Sequence, residues 1–154
     1  MLKAIKEGKT YRIPGFELTL VREKTNVTER NSIRSPEDAY LIAKSLLENS
    51  PCEKFIGIFL DTKHHVLGTA TISKGTLDMS VVSPRELFQH AFLLNAAAII
   101  VAHNHPSGNP SPSKEDHIST DKLIQAGKIL DIAVLDHVIV GLNTYISFKN
   151  EGYI

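Results

Sequence analysis

His103-Asn104-His105-Pro106-Ser107-Gly108-Asn109-Pro110-Ser111-Pro112-Ser113-Lys114-Glu115-Asp116 is the stretch on which the reading of this chain turns. It follows the most apolar run in the protein, Ala96-Ala97-Ala98-Ile99-Ile100-Val101-Ala102, which reads as a buried strand. Side chains alternate along a strand, so histidines two apart at its end share one face. Pro and Gly then break the strand into a loop, Ser113 offers a helix N-cap, and Asp116 falls in the first turn of the helix that follows. Two imidazoles on a rigid strand and one carboxylate returned by a loop form a three-ligand metal site with an open position, as hydrolytic zinc enzymes require. A plainer alternative stands beside it. Paired histidines occur as ordinary strand-end residues, and Ser113-x-x-Asp116 is also a variant of the capping box.

The longer pattern favours the metal site. His-x-His, seven residues, Ser, two residues, Asp resembles the JAMM (MPN-type) metalloproteases. The fuller string HNHPSG-x-P-x-PS-x-x-D-x-x-x-T, ending at Thr120, resembles the bacterial RadC family more closely, and the resemblance extends from about Glu53 to Tyr153. It implies a JAMM/MPN (cytidine-deaminase-like) architecture, a curved mixed sheet flanked by helices. It implies zinc held by His103, His105 and Asp116 with water as fourth ligand. The catalytic Glu of such proteins opens an upstream apolar strand, which here falls on Glu53 in Glu53-Lys54-Phe55-Ile56-Gly57; relatives usually carry Gly or Ala where Ile56 stands. Ser113 carries over as the hydrogen-bond donor to the oxygen of a tetrahedral intermediate. The expected reaction is cleavage of a peptide or isopeptide amide bond in a protein or peptide substrate. Glu115 adjoins a proposed ligand but points about a quarter turn away on the helix. Ser107 and Gly108 read as loop-shaping residues.

His137, in Leu135-Asp136-His137-Val138-Ile139-Val140, has two readings: a partner supporting a metal ligand, or a histidine satisfied within the sheet. His64, His65, His90 and His117 read as surface or packing residues. Other chemistries are set aside. The letters HNH sit together here, whereas the HNH nuclease motif spreads them over separate elements. A zinc deaminase needs more cysteine than Cys52 alone supplies, and HExxH, the P-loop and the dinucleotide glycine string are missing.

At 154 residues the chain is long enough to bury a core, and its single cysteine excludes an internal disulfide framework. No run is apolar enough to span a membrane and the N-terminus lacks a signal-peptide core, so a cytoplasmic protein is expected. Net charge is zero but uneven: residues 1–34 carry eight Lys/Arg against four Glu, and the remainder nine against thirteen Asp/Glu. The basic segment reads either as a solvated face or as an arm touching nucleic acid. RadC relatives bear a DNA-repair label, which makes a non-catalytic DNA-associated module the rival hypothesis. Residues 1–34 show no glycine-rich hairpin between helices, and a neutral chain is poorly suited to binding phosphate. A metal-bearing interaction scaffold ranks behind both.

The expected organisation is a basic segment over 1–34, packed on or extending a domain over 35–154. Residues 16–21 read as an edge strand suited to a homodimer, and 25–34 as a polar loop. Ser35-Pro36-Glu37-Asp38 starts a helix to about Glu48 with Ala39, Ile42, Leu46 and Leu47 as its apolar stripe. Strands follow over 55–60, 65–72 and about 76–82, the first two joined by a turn at 61–64. Ser83-Pro84-Arg85-Glu86 spells a capping box before a helix whose Leu87, Ala91, Phe92 and Leu94 face the core. The helix from Ser113 runs to about Ala126 with Gly127 as its stop, and Asp116, Thr120, Leu123 and Gly127 share one face. Strands over 132–140 and 144–148 close the chain. This order predicts an α+β, mixed three-layer fold.

Overall fold

The computed structural model describes residues 2–6, 9–13, 32–75 and 82–154. Strands β1 (Leu2–Lys6) and β2 (Lys9–Ile13) form an antiparallel pair that the sequence patterning had not suggested. The expected strands over 16–21 and 76–82 fall outside the described residues, apart from Val82. The domain then runs α1 (Pro36–Leu47), β3 (Lys54–Leu60), β4 (Val66–Lys74), α2 (Pro84–Leu93), β5 (Ala98–Asn104), α3 (Lys114–Leu130), β6 (Ala133–Val140) and β7 (Tyr145–Ser147). Its sheet has the order β4-β3-β5-β6-β7; β5 and β6 are parallel and every other pairing is antiparallel. The expected α+β fold, a mixed sheet flanked by helices, is what forms.

β5 is central, and both of its faces are buried. One apolar cluster joins Ile56, Ile58, Leu60, Ala98, Ile100 and Ala102 to α1 through Ala39, Ala43 and Leu47. The other joins Phe55, Phe59, Ile99 and Val101 to Leu87, Phe88 and Ala91 of α2 and Leu123 of α3. Even-numbered residues of β3 and β5 therefore face α1, and odd-numbered ones face α2 and α3. That parity positions the site.

The helices depart from the expected stripes in informative ways. α1 meets the sheet along Ala39-Ala43-Leu47, an i, i+4 row whose alanines allow close approach, and Leu46 lies outside that row, 38% exposed. In α2, Phe88 takes the inward place and Phe92 is 56% exposed, because Leu87, Phe88 and Ala91 already define the face. Ser83 makes no side-chain capping bond, and Pro84 at the first turn supplies the helix start. α3 does not stop at Gly127 but runs to Leu130, ending at Asp131 in the left-handed region (φ 57°). Gly127 serves a different purpose: a Cβ there would meet the Ile132 carbonyl oxygen at 2.4 Å.

The β3–β4 turn is held by Asp61. Its Oδ1 accepts from the backbone N–H of Lys63 and His65, and its Oδ2 lies 3.0 Å from His65 Nδ1. The His65 backbone N–H is the main reason its carboxyl is held down at about 2, desolvation opposing and the His65 ring and Lys63 N–H assisting.

Two predictions follow from these local constraints. Gly127→Ala, which in an unconstrained helix stabilises by ~0.5–1 kcal/mol, should destabilise here by ~1–3 kcal/mol through overpacking, as read from urea unfolding. Asp61→Ala should lower stability at neutral pH. Because the folded-state pKa is depressed, the wild-type advantage is present above the ordinary value of 3.8 and fades as pH falls towards about 2; unfolding curves across that range measure it.

Candidate metal centre

Strand parity brings three of the four candidate residues together. His103 is the last odd-numbered residue of β5 and points towards α3, in line with Ile99 and Val101. The antiparallel register pairs Phe55 with His103, and extending it by two residues sets Glu53 beside His105. Beyond β5, the loop is anchored at both ends. His105 N–H donates to Val140 O, Gly108 N–H to His105 O, and Leu142 N–H to Gly108 O. Gly108 adopts φ 82°, and a Cβ on the facing Gly141 would meet its carbonyl oxygen at 2.5 Å. Both glycines are there for backbone geometry.

Asp116 arrives on α3. Ser113 caps this helix: its Oγ accepts from Asp116 N–H (3.1 Å) and donates to Asp116 Oδ2 (2.7 Å), which also accepts from Ser113 N–H (2.7 Å). The capping box therefore forms in full, but it occupies only one carboxylate oxygen. Oδ1 lies 3.2 Å from His103 Nε2. The capping reading and the site reading of this carboxylate are compatible: Oδ1 faces His103, and Oδ2 serves the cap while also lying 3.5 Å from His105 Nε2. Glu115, on the same turn, is exposed.

Glu53, His103, His105 and Asp116 each offer a donor atom, and these atoms lie within 4.8 Å of one another. His103 Nε2 is 2.9 Å from His105 Nε2 and 3.6 Å from Glu53 Oε1, and His105 Nε2 is 3.5 Å from Asp116 Oδ2. Tetrahedral bonds of ~2.0–2.1 Å to zinc put donor atoms ~3.3 Å apart, so nitrogen and oxygen donors at these separations fit such an ion. Exposure is graded: the His103 side chain is 0% exposed, Asp116 11%, His105 17% and Glu53 28%, so Glu53 marks the solvent side.

The charges follow from this packing. Burial works to raise the Asp116 pKa, but hydrogen bonds and charge from His103 and His105 outweigh it and hold the carboxyl far below its ordinary range. The Asp116 contact raises the His105 pKa against the pull of desolvation, and the Asn109 carbonyl adds to the rise. Burial pushes His137 well below its ordinary value, so that ring is neutral.

Several supporting residues surround the cluster. His137 on β6 is buried, with Nε2 2.8 Å from His103 Nδ1 and Nδ1 2.6 Å from Thr120 Oγ1. Of its two readings the structure realises the direct contact with a candidate ligand. The Phe55 ring stacks on His103 and Phe148 lies against His137. Asn104, between the two histidines in sequence, points to the opposite face. Its Oδ1 accepts from Lys54 N–H (2.9 Å), and its Nδ2 donates to Cys52 O (3.2 Å). Gly75 N–H donates to Glu53 O, and Asn104 holds the backbone of Cys52 and Lys54 on either side of it. Neither Asn104 nor the two phenylalanines stood out from the sequence. Parity would have separated Asn104 from its neighbours, but its partners depend on the β3–β5 pairing. His90 and His117 are packing residues against Phe59 and Phe148, and His65 belongs to the Asp61 turn.

An open mixed sheet flanked by helices, with a His-x-His strand end facing an Asp at a helix start, defines a JAB/MPN-type domain. The chain belongs to the RadC-like JAB domain family, whose profile matches residues 33–153. It is 42% identical over 139 residues to a UPF0758 protein of Methanosarcina mazei, covering 90% of this chain and 61% of that one. A UPF0758 protein of Desulforamulus reducens is 49% identical over 122 residues, 79% of this chain and 54% of the relative. One of Bacillus cereus is 42% identical over 145 residues, 94% and 64% of the respective lengths. The chain thus spans about three fifths of the length of the curated relatives it matches. Among the described residues, no helix is long and apolar enough to cross a membrane.

Asn104→Ala would strand the Lys54 N–H and Cys52 carbonyl, and should lower stability by ~1–3 kcal/mol. Metal uptake should be kept, since Asn104 faces away from the donors. Denaturant unfolding and metal content, measured on the same preparation, check both halves.

Proposed function

We propose that this chain is a zinc-dependent hydrolase of JAMM type that cleaves an amide bond, in a peptide or an isopeptide linkage. The observation that carries the reading is the convergence of His103, His105, Asp116 and Glu53 donor atoms at spacings suited to a tetrahedral ion. His103, His105 and Asp116 would hold the ion. When bound, zinc supplies Lewis-acid activation of water near neutral pH and polarises a carbonyl oxygen.

The remaining steps belong to the protein. Glu53, the most exposed of the four and with Oε1 the farthest from His103 Nε2, is assigned as general acid/base: it takes a proton from the attacking water and returns it to the leaving nitrogen. Ser113 is assigned as donor to the oxygen that gains charge. Its hydroxyl proton is held by Asp116 Oδ2 in this structure, and a hydroxyl rotor can redirect it towards substrate. A cleft of about 220 Å³ abuts His105 between Leu47, Asn104, Gly108 and Leu142. Of the four donor residues only His105 lines it, so it lies to one side of the cluster.

The test is metal content by mass spectrometry after zinc loading, paired with turnover of peptide and isopeptide libraries. Wild type should retain about one zinc per chain and His105→Ala little. Glu53→Gln should keep its zinc and lose ~10²–10⁴-fold in rate. Loss of zinc from Glu53→Gln would make Glu53 a ligand instead, and full turnover in that variant would remove it from the mechanism.

A further inference from the structure

The hydrogen bonds behind His103 assign its tautomer. The Asp116 carbonyl oxygen can only accept, so Thr120 Oγ1, 2.6 Å away, donates its proton there. A hydroxyl has one proton, so towards His137 Nδ1 at 2.6 Å the same oxygen must accept. That places a proton on His137 Nδ1. The polar partners of His137 are a hydroxyl and an imidazole, neither of which compensates a buried charge, so the ring is neutral and its Nε2 carries a lone pair. His103 Nδ1, 2.8 Å from that lone pair, is therefore the donor. The proton between the two rings therefore resides on His103 Nδ1, and Nε2 is the His103 atom that faces His105, Asp116 and Glu53.

We propose that Thr120 and His137 are positioning residues: a proton-ordered chain running from the Asp116 backbone through Thr120 and His137 holds His103 in the Nδ1–H tautomer and ties two donors of the cluster together. The proposal rests on the metal-site reading above for its purpose, though not for its geometry. An imidazole free to choose its tautomer spends part of its time with the proton on Nε2, where it blocks the lone pair a cation needs. Here Nδ1 has a fixed acceptor for its proton, which leaves Nε2 as the atom turned to the cluster. Thr120 is 1% exposed and His137 0%, and Phe55 and Phe148 lie against the two rings, so water has little opportunity to replace either link. His105 is ordered separately: its Nδ1 lies 2.8 Å from the Asn109 carbonyl oxygen, which can only accept.

The experiment uses the full chain labelled with ¹⁵N-histidine, in Thr120→Val, which keeps shape and removes the hydroxyl, and in Thr120→Ser, which restores it. Imidazole ¹⁵N–¹H spectra of the metal-free protein read the tautomer, and competition with a chromogenic chelator reads zinc affinity. The expected result is a proton on Nδ1 of His103, hydrogen-bonded to His137, in wild type and Thr120→Ser. Thr120→Val should give mixed tautomers and a loss of ~10–100-fold in zinc affinity. An unprotonated Nδ1 at His103 in wild type would overturn the proposal, as would a folded Thr120→Val matching wild type in both measurements. If Thr120→Val fails to fold by circular dichroism, the wild-type tautomer decides alone. An ordered tautomer that Thr120→Val disturbs, in a protein that takes up no zinc, would keep the relay and overturn the metal reading only.

Discussion

The two-residue alternation of β5, covered on both faces, is the constraint on which the rest of the domain depends. Ala98, Ile100 and Ala102 close the core against α1, while Ile99 and Val101 close it against α2 and α3. His103 and Asn104 are the last pair of this series, and burial on both sides leaves neither any freedom of direction. A one-residue slip would exchange every side chain between faces, placing Asn104 among the donors and His103 against the Cys52 segment. The apolar registry of the strand and the polar function of its end are one constraint.

A buried polar cluster is costly unless every group finds a partner. His103, Asp116, Thr120 and His137 all lie within the core, and among the described residues no buried side-chain nitrogen or oxygen lacks a hydrogen-bond partner. Asp116 shares Oδ2 between the helix cap and His105 and turns Oδ1 to His103; His105 engages Asn109 through Nδ1 and turns Nε2 to the cluster. Glu53 is the exception in exposure, as suits the acid/base role proposed for it. Its backbone carbonyl accepts from Gly75 N–H, and Asn104 of β5 holds its neighbours Cys52 and Lys54.

Much of this was legible because local rules carried it. The apolar run before His103, the Pro/Gly break and the Ser113-x-x-Asp116 spacing located β5, the loop and the start of α3, and the face shared by Asp116, Thr120, Leu123 and Gly127 is the buried one. Errors arose where two local solutions were equally good. Leu46 and Phe92 suited the apolar stripes of their helices as well as Ala43 and Phe88 did, and only the close approach of each helix to the sheet selected between them. Gly127 carried the marks of a helix stop, but the passing Ile132 carbonyl is what requires a glycine there.

By itself the sequence determined which residue types stand two, eight and three positions apart around the loop, and hence that two imidazoles share a strand face and a carboxylate opens a helix. Those are statements about neighbours in the chain, for which backbone geometry suffices. What only the tertiary structure decided is everything that crosses between strands: Glu53 beside His103, Asn104 holding Lys54 and Cys52, and His137 behind His103. Those contacts join residues 34 to 52 positions apart. They depend on the pairing and register of β3, β5 and β6, which are set by burying two apolar faces at once and not by any short-range preference.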